Sequence, residues 1–592
     1  TKVVDPPKTP EEGYHFMEDM TDRAIAWVRQ QRLLAADKPF FMYFAPGATH
    51  APHHVPKEWA DKYAGKFDKG WDALREEIFA RQKQLGVIPQ DCELTERPKE
   101  IPAWDSYSDG FKRVLAREME VYAGFFEYAD HHIGRLIDSL AELGALEDTL
   151  IYYIIGDNGA SGEGTPQGTF NESFSFNGMN ALETEAFLTE RLDKLGGPES
   201  YNHYAVGWAH AMDTPYQWTK QVASHWGGTR NGTIVHWPKA IKAKGEIRHQ
   251  FHHVIDVAPT ILDAAMLPQP YMVNGIGQVP MQGVSMTYSF DDAAAPERHE
   301  TQYFEMFGNR GIYHKGWTAV TRHRTPWLMT EAAPPFDDDL WELYDTNKDW
   351  SQAHDLSKAM PEKLHELQRL WLIEATRNNV LPMDDRVAER LNSDIAGRPA
   401  LVSGTSQVLA RGMGGLNENG VVNVKNKSHS VTAQLTIPDG TVPNGVILSQ
   451  GGIPGGWMFY VKDGTLTYLY NFLGLRQFVT ASTEQVPSGK HQVRMEFAYD
   501  GGGLAKGGNV TLYLDGKPVG TGRVDTTVPM VFSADETSDV GTKRGSPMTP
   551  EMPPSASEFN GSVDAVVIET SGENHDHLLT REEVLAMIVA RQ

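Results

Sequence analysis

Apolar positions recur every three to four residues across residues 13–35, with Met20, Ala24, Trp27 and Val28 on one side, which predicts a helix. The same period returns from about Phe111 to Leu143, through Leu115, Met119, Tyr122, Phe126, Ile133, Ile137 and Leu140. Gly144 follows, where a left-handed residue would end that helix. Short unbroken apolar runs stand between such stretches: FFMYFA (Phe40 to Ala45), Thr149 to Ile155, and GTIVHW (Gly232 to Trp237). Runs of this kind predict strands covered on both faces, as in a parallel sheet. Residues 254–265 read as a helix, 300–345 as a small aromatic-rich sheet, and 361–377 as an amphipathic helix. Residues 55–110 mix helix and loop, and 159–215, rich in Gly, Asn, Ser and Thr, read as a long excursion near a site.

Near residue 400 the period changes to two. VTAQLTI, WMFYVKDGTLTYLY, HQVRMEFAYDG, NVTLYLDGKPVG and SVDAVVIET alternate with glycine turns, and Asp463-Gly464 and Asp515-Gly516 are strong hairpin signals. Three domains are expected. They are an α/β domain with helices flanking a mixed sheet (1–295), a small sheet-plus-helix subdomain (296–398), and an antiparallel β-sandwich of jelly-roll or lectin type (399–592).

A length of 592 residues suits two or three domains. The net charge of −24 argues against a nucleic-acid partner, though a cationic pocket for a small anion is compatible with it. The single cysteine, Cys92, excludes an intrachain disulfide and a multi-cysteine zinc site. No apolar run reaches membrane-spanning length. The sequence specifies neither compartment nor oligomeric state.

Three stretches carry candidate chemistry. The run ending at Ile155 stops on Gly156-Asp157-Asn158-Gly159. Ligands of open α/β sheets sit at the carboxyl ends of strands, and a carboxylate with an amide offers hard oxygens for Ca²⁺ or Mg²⁺. The same four residues are also turn formers. FFMYFA leads into Thr49-His50-Ala51-Pro52-His53-His54, where a histidine could bind an anion or move a proton. Lys220, His225, Gly227-Gly228 and Arg230 precede GTIVHW. A lysine there suits sulfate or phosphate oxygens, and the glycines let backbone approach a ligand.

GYHFMEDMTDRAIAWV, FFMYFAPGATHAPH, DNGASGEG, KQVASHWGGTRNG and WELYDTNKDWSQAHDL, in this order over about residues 13–390, resemble the larger bacterial arylsulfatases. These belong to the sulfatase family of the alkaline-phosphatase-like superfamily. The resemblance implies an alkaline-phosphatase-like α/β fold and hydrolysis of a sulfate ester, on a small molecule or a glycan. It implies Asp157 and Asn158 as ligands of Ca²⁺, with Mg²⁺ as the alternative. His50 would contact the ester and assist the leaving group, and Lys220 would bind sulfate oxygens. The spacing from Lys220 to the glycine pair is one residue longer than in many sulfatases, which makes His225 an alternative contact. His53 and Arg230 are further substrate-side candidates.

The family's nucleophile is a formylglycine made from Cys or Ser in C/S-x-P/A-x-R. Cys92 begins CELTER, with Leu94 and Glu96 at the decisive positions, and no serine fits. The family's first aspartate pair and its Lys-x-His element are also missing. The expectation is a C-terminal portion of a larger arylsulfatase, with the formylglycine upstream of residue 1. Alone it would be inactive, bind calcium poorly and expose apolar surface. A phosphodiesterase or phosphonate monoester hydrolase of the same superfamily is the nearest alternative. His252, His253 and Asp256 could suggest a two-zinc phosphatase, but VIDVAPTILDAA reads more simply as a packing helix. A non-catalytic carbohydrate-binding or scaffold protein is the alternative from another class. Its aromatic platform would be Trp457, Tyr460, Tyr468 and Tyr470, residues that strand alternation assigns rather to a core.

Overall fold

The computed structural model describes residues 6–328 and 333–570; residues 571–592, the end of the expected C-terminal domain, lie outside the described residues. The chain divides into two compact units. One runs to Phe170 and resumes over Glu183–Asp385, and the other joins Asn171–Leu182 to the chain from Arg386 onward.

In the first unit the helix Phe16–Leu34 starts where the His15 ring accepts a hydrogen bond from the Met17 amide at 3.2 Å. It buries Met17, Thr21, Ala24, Ile25 and Val28, spaced at four, seven, eight and eleven residues. Trp27, expected on that face, points outward instead. The helix Asp109–Glu142 is capped by Ser108 Oγ, which accepts from the Phe111 amide at 3.0 Å. It ends at Gly144, whose φ is +64°. At Gly124 a side chain would meet the backbone of Ala60 at 2.6 Å, so glycine lets the short helix Lys57–Asp61 cross there. Trp71, Trp104 and Trp208 gather against Leu115 and Met119 in a buried cluster.

Strand β1 (Ile151–Ile154) pairs with β2 (Thr233–His236). The pairing is antiparallel, with Ile151 opposite His236, and the sheet has two strands. The expected parallel sheet, with β1 covered on both faces, is therefore corrected: β1 is half-buried, and Ile154 and Ile234 are exposed. FFMYFA forms no strand, and Phe41 and Tyr43 are 67% and 83% exposed. An apolar run becomes a strand only where a neighbour completes its hydrogen-bond ladder, and none does so here among the described residues. The helix Val257–Ala264 follows, then a two-residue-turn hairpin of β3 (Met272–Val273) and β4 (Ile276–Gly277).

Strands β5 (Thr301–Met306), β6 (Asn309–His314), β7 (Trp317–Thr321) and β8 (Trp341–Asp345) form an antiparallel sheet in sequence order. The helix Pro361–Arg377, with proline in its first turn, covers it through Leu367, Trp371 and Ala375.

The second unit holds the period-two strands β9 (Ser406–Ala410), β10 (His429–Ile437), β11 (Gly445–Gly452), β12 (Gly455–Lys462), β13 (Thr465–Phe472) and β14 (Arg476–Gln485). It continues with β15 (Gly489–Tyr499), β16 (Gly508–Leu514), β17 (Lys517–Val524), β18 (Ser538–Val540) and β19 (Ser562–Glu569). One antiparallel sheet runs β17-β16-β15-β10-β19-β9 and the other β14-β13-β12-β11-β18. Asp463-Gly464 and Asp515-Gly516 turn with both residues at positive φ, as a type I′ hairpin requires. Trp457, Tyr460, Tyr468 and Tyr470 are all buried, so they form core and not a surface platform.

Candidate functional site

β1 delivers the chain to Gly156, whose φ of +88° favours glycine and turns the backbone sharply. Asp157 is exposed and Asn158 half-buried, and the Asn158 amide donates to Asp157 Oδ1 at 2.9 Å. Gly159 then lies flat against Gly227-Gly228. Its amide donates to the Gly228 carbonyl at 3.0 Å, and a Cβ on Gly159 would stand 1.7 Å from the Gly227 oxygen. Gly227 and Gly228 are equally confined, with added Cβ atoms 2.2 Å from the Gln217 and Val222 oxygens. Gly159 thus lets the DNGA turn touch the glycine pair, while Gly227 and Gly228 let their own loop, Gln217 to Val222, fold tightly back on them.

The following residues are tied down from behind. The Ala160 amide donates to Asp213 Oδ1 at 2.9 Å, and burial pushes the Asp213 carboxyl well above the usual carboxylate range. The Ser161 amide donates to the Tyr204 hydroxyl at 3.1 Å. The Lys220 amide donates to the Ala160 carbonyl at 3.0 Å, which joins the lysine loop to the DNGA turn.

Lys220 and His50, 170 positions apart, come together with Lys220 Nζ 3.4 Å from His50 Nε2. Nζ also donates to Glu163 Oε2 at 2.8 Å. His50 is exposed, so the pair faces solvent on that side. Glu163 further accepts from Gln221 Nε2 at 2.6 Å and from Ser161 Oγ at 2.8 Å. Burial alone would raise the Glu163 carboxyl, but the Lys220 ammonium and its hydrogen bond, with smaller help from His203 and Ser161, hold it below its ordinary range. His203 is held down to about 4, first by burial.

The remaining expected residues lie elsewhere. His225 is fully buried between Ser224 Oγ at 2.9 Å and Glu342 Oε2 at 3.1 Å. Arg230 stacks on Trp350, 3.8 Å from the ring centre. His53 is buried among Tyr122, Phe125, His203 and Tyr204, and burial pushes it well below the usual histidine range. Asp256 is a buried acceptor: it takes His299 Nδ1 at 2.7 Å and the amides of His253 and Val284.

Asp157 and Asn158 present two oxygen donors suited to a hard divalent cation. Such ions take six or more, so these residues match part of a coordination shell. Glu163 lies within DNGASGEG itself, yet a lone acid in a Gly-Ser run gave no sign of whom it would meet. Asp213 and Tyr204 carried no sequence signal at all.

The sulfatase family model matches residues 1–267. An uncharacterized sulfatase of Schizosaccharomyces pombe is 32% identical over 365 residues, 60% of this chain and 60% of its own length. The arylsulfatase of Klebsiella aerogenes is 28% identical over 299 residues, 50% of this chain and 60% of its own. The chain therefore spans about 60% of the length of these curated relatives. The crystal structure of Ps i-CgsB shares 18% identity across 65% of this chain and 60% of its own, at a TM-score of 0.37.

Proposed function

We propose that the chain is part of a sulfatase, as its match to the sulfatase family model and its sulfatase relatives support, and that the whole protein hydrolyses a sulfate ester to an alcohol or phenol and inorganic sulfate. The observation that carries this reading is the meeting of Lys220 and His50 at 3.4 Å, on a loop bound through Gly159 and Gly228 to Asp157-Asn158. Lys220 offers N–H donors to sulfate oxygens, as a compact cation does. His50 would contact the ester beside Lys220 and, once protonated at Nε2, assist the departing oxygen. Asp157 and Asn158 would hold Ca²⁺, which when bound polarises a sulfate oxygen. Cys92 does not supply the nucleophile: it is buried, burial pushes its thiol up, and its sequence context lacks the formylglycine motif. Residues 1–592 taken alone are proposed to be inactive, with the formylglycine provided by the whole protein. The two sheets of the second unit are read as a β-sandwich whose buried aromatics argue for a structural role.

The test is turnover by the native gene product. His50→Ala and Lys220→Ala should each lower kcat/KM for an aryl sulfate by about 10²–10³, the range for a lost proton donor or charge stabiliser. Asp157→Ala should weaken calcium binding together with turnover. Unchanged calcium affinity and unchanged rate would remove the metal assignment. Faster turnover of an aryl phosphate diester than of the sulfate would turn the reading to a phosphodiesterase of the same superfamily.

A further inference from the structure

An anion site built on a lysine gains nothing, by itself, from a carboxylate 2.8 Å from that lysine. Such a neighbour cancels the charge that attracts the ligand, so its presence needs another reason. The loop geometry supplies one. Thr219 to Val222 closes a turn through a 3.1 Å bond from the Val222 amide to the Thr219 carbonyl, with Lys220 second and Gln221 third. Gln221 sits at φ +73°, and Trp218, just before the turn, at φ +66°. Positive φ at the third position marks a type II turn and favours glycine or asparagine there. Strained backbone of this kind persists only where its surroundings over-determine it. The backbone of this turn is tied by the Lys220 amide to Ala160 and by Asn309 Nδ2 on the Gln221 carbonyl, both at 3.0 Å, and its two side chains meet at Glu163: one carboxylate oxygen takes the Gln221 amide at 2.6 Å and the other takes the Lys220 ammonium at 2.8 Å. Ser161 Oγ braces that second oxygen at 2.8 Å.

The same bond orders the histidine. An ammonium can only donate, so His50 Nε2 accepts from Lys220. A carbonyl can only accept, so His50 Nδ1 carries the proton and donates to the Ala51 oxygen at 2.9 Å. His50 is thereby set as the neutral Nδ1–H tautomer, with its Nε2 lone pair turned toward Lys220.

We propose that Glu163 is a positioning residue that clamps Lys220 and Gln221 together, holds the strained turn, and through Lys220 fixes the tautomer and direction of His50. The role of the clamp in turnover rests on the sulfatase reading, while the clamp itself does not. Lys220 is mostly screened, with 14% of its side chain exposed, so its accessibility reports directly on the clamp.

The experiment is pulse acylation of the 592-residue chain with acetic anhydride, read by peptide mass spectrometry at Lys220 against the other lysines. Glu163→Gln should raise Lys220 labelling about tenfold, and Glu163→Asp should restore part of the protection. Gln221→Gly separates strain from clamping. It relaxes the turn but removes one tie, so it should raise labelling without lowering thermal stability. If Glu163→Gln does not fold, Gln221→Ala replaces it, with an expected rise of about threefold. Equal Lys220 labelling in wild type and variant overturns the proposal, whatever the turnover. In the native gene product, Glu163→Gln should lower kcat for an aryl sulfate by about tenfold or more while KM moves less than about threefold. Strong exposure of Lys220 in the 592-residue variant, beside a native gene product that cleaves no sulfate ester, would leave the clamp standing and remove the sulfatase reading instead.

Discussion

At the scale of single residues, contact distance decides what each motif does. Gly159 tolerates no side chain because the Gly227 oxygen would lie 1.7 Å from its Cβ. Gly159→Ala should cost about 3 kcal/mol, at the upper end for overpacking, because the obstacle is backbone and cannot rotate away. Denaturant midpoints of the isolated chain measure this, and a change below about 0.5 kcal/mol would contradict the close approach. The sequence offers His225 as the alternative contact to Lys220, but the structure gives it to Glu342. Burial would raise the Glu342 carboxyl, yet His225, the Tyr344 hydroxyl and Arg322 bring it down to about 2. A depressed carboxylate adds stability that is full above its unfolded value, about 4.3, and is lost as pH falls through its folded value. Thermal stability should therefore drop between about pH 4.3 and 2, and Glu342→Gln should flatten that part of the curve. Parallel curves for the two proteins would show that the Glu342 carboxylate contributes nothing.

At the scale of elements, local chemistry was enough for helices and hairpins. Gly144 marks the end of the long helix in both sequence and structure, because capping is a matter of a few adjacent residues. Asp-Gly turns set two hairpins for the same reason. FFMYFA failed as a strand because a strand is defined by a partner, which no local pattern contains. The segment 171–182 was similarly illegible: it sits within the excursion of the first unit yet belongs to the second. Asn177 fixes it there. Its side chain donates to the Val531 carbonyl at 2.9 Å and accepts from the Met530 amide at 2.8 Å. Asn177→Ala should leave those backbone groups unpaired and cost about 2–3 kcal/mol. Proteolysis within 171–182 should then outpace that in the wild type. Equal cleavage rates would mean that other contacts hold the segment.

At the scale of the whole molecule, the first unit carries apolar side chains that no described residue covers. Phe41, Tyr43, Ile154, Ile155 and Ile234 are all more than a third exposed. A two-stranded sheet with such a surface is expected to bind a hydrophobic dye and to self-associate. On the reading proposed above, in which further chain covers this surface, the native gene product should bind less dye per chain than residues 1–592 and sediment as a discrete species. Equal dye binding would show that the surface stays open in the whole protein. The sequence by itself determined the long helices, the Asp-Gly hairpins, the two periodic regimes and the resemblance to sulfatases, because these rest on neighbouring residues or on ordered motifs. It also named Asp157, Asn158, His50 and Lys220 as candidates. Only the tertiary structure decided that Lys220, not His225, meets His50, and that Glu163 stands behind them. It alone set β1 antiparallel to β2 and moved 171–182 to the second unit. Those outcomes depend on which backbones can approach across tens or hundreds of residues, and that is settled by packing and by hydrogen-bond partners, which no single stretch of chain encodes.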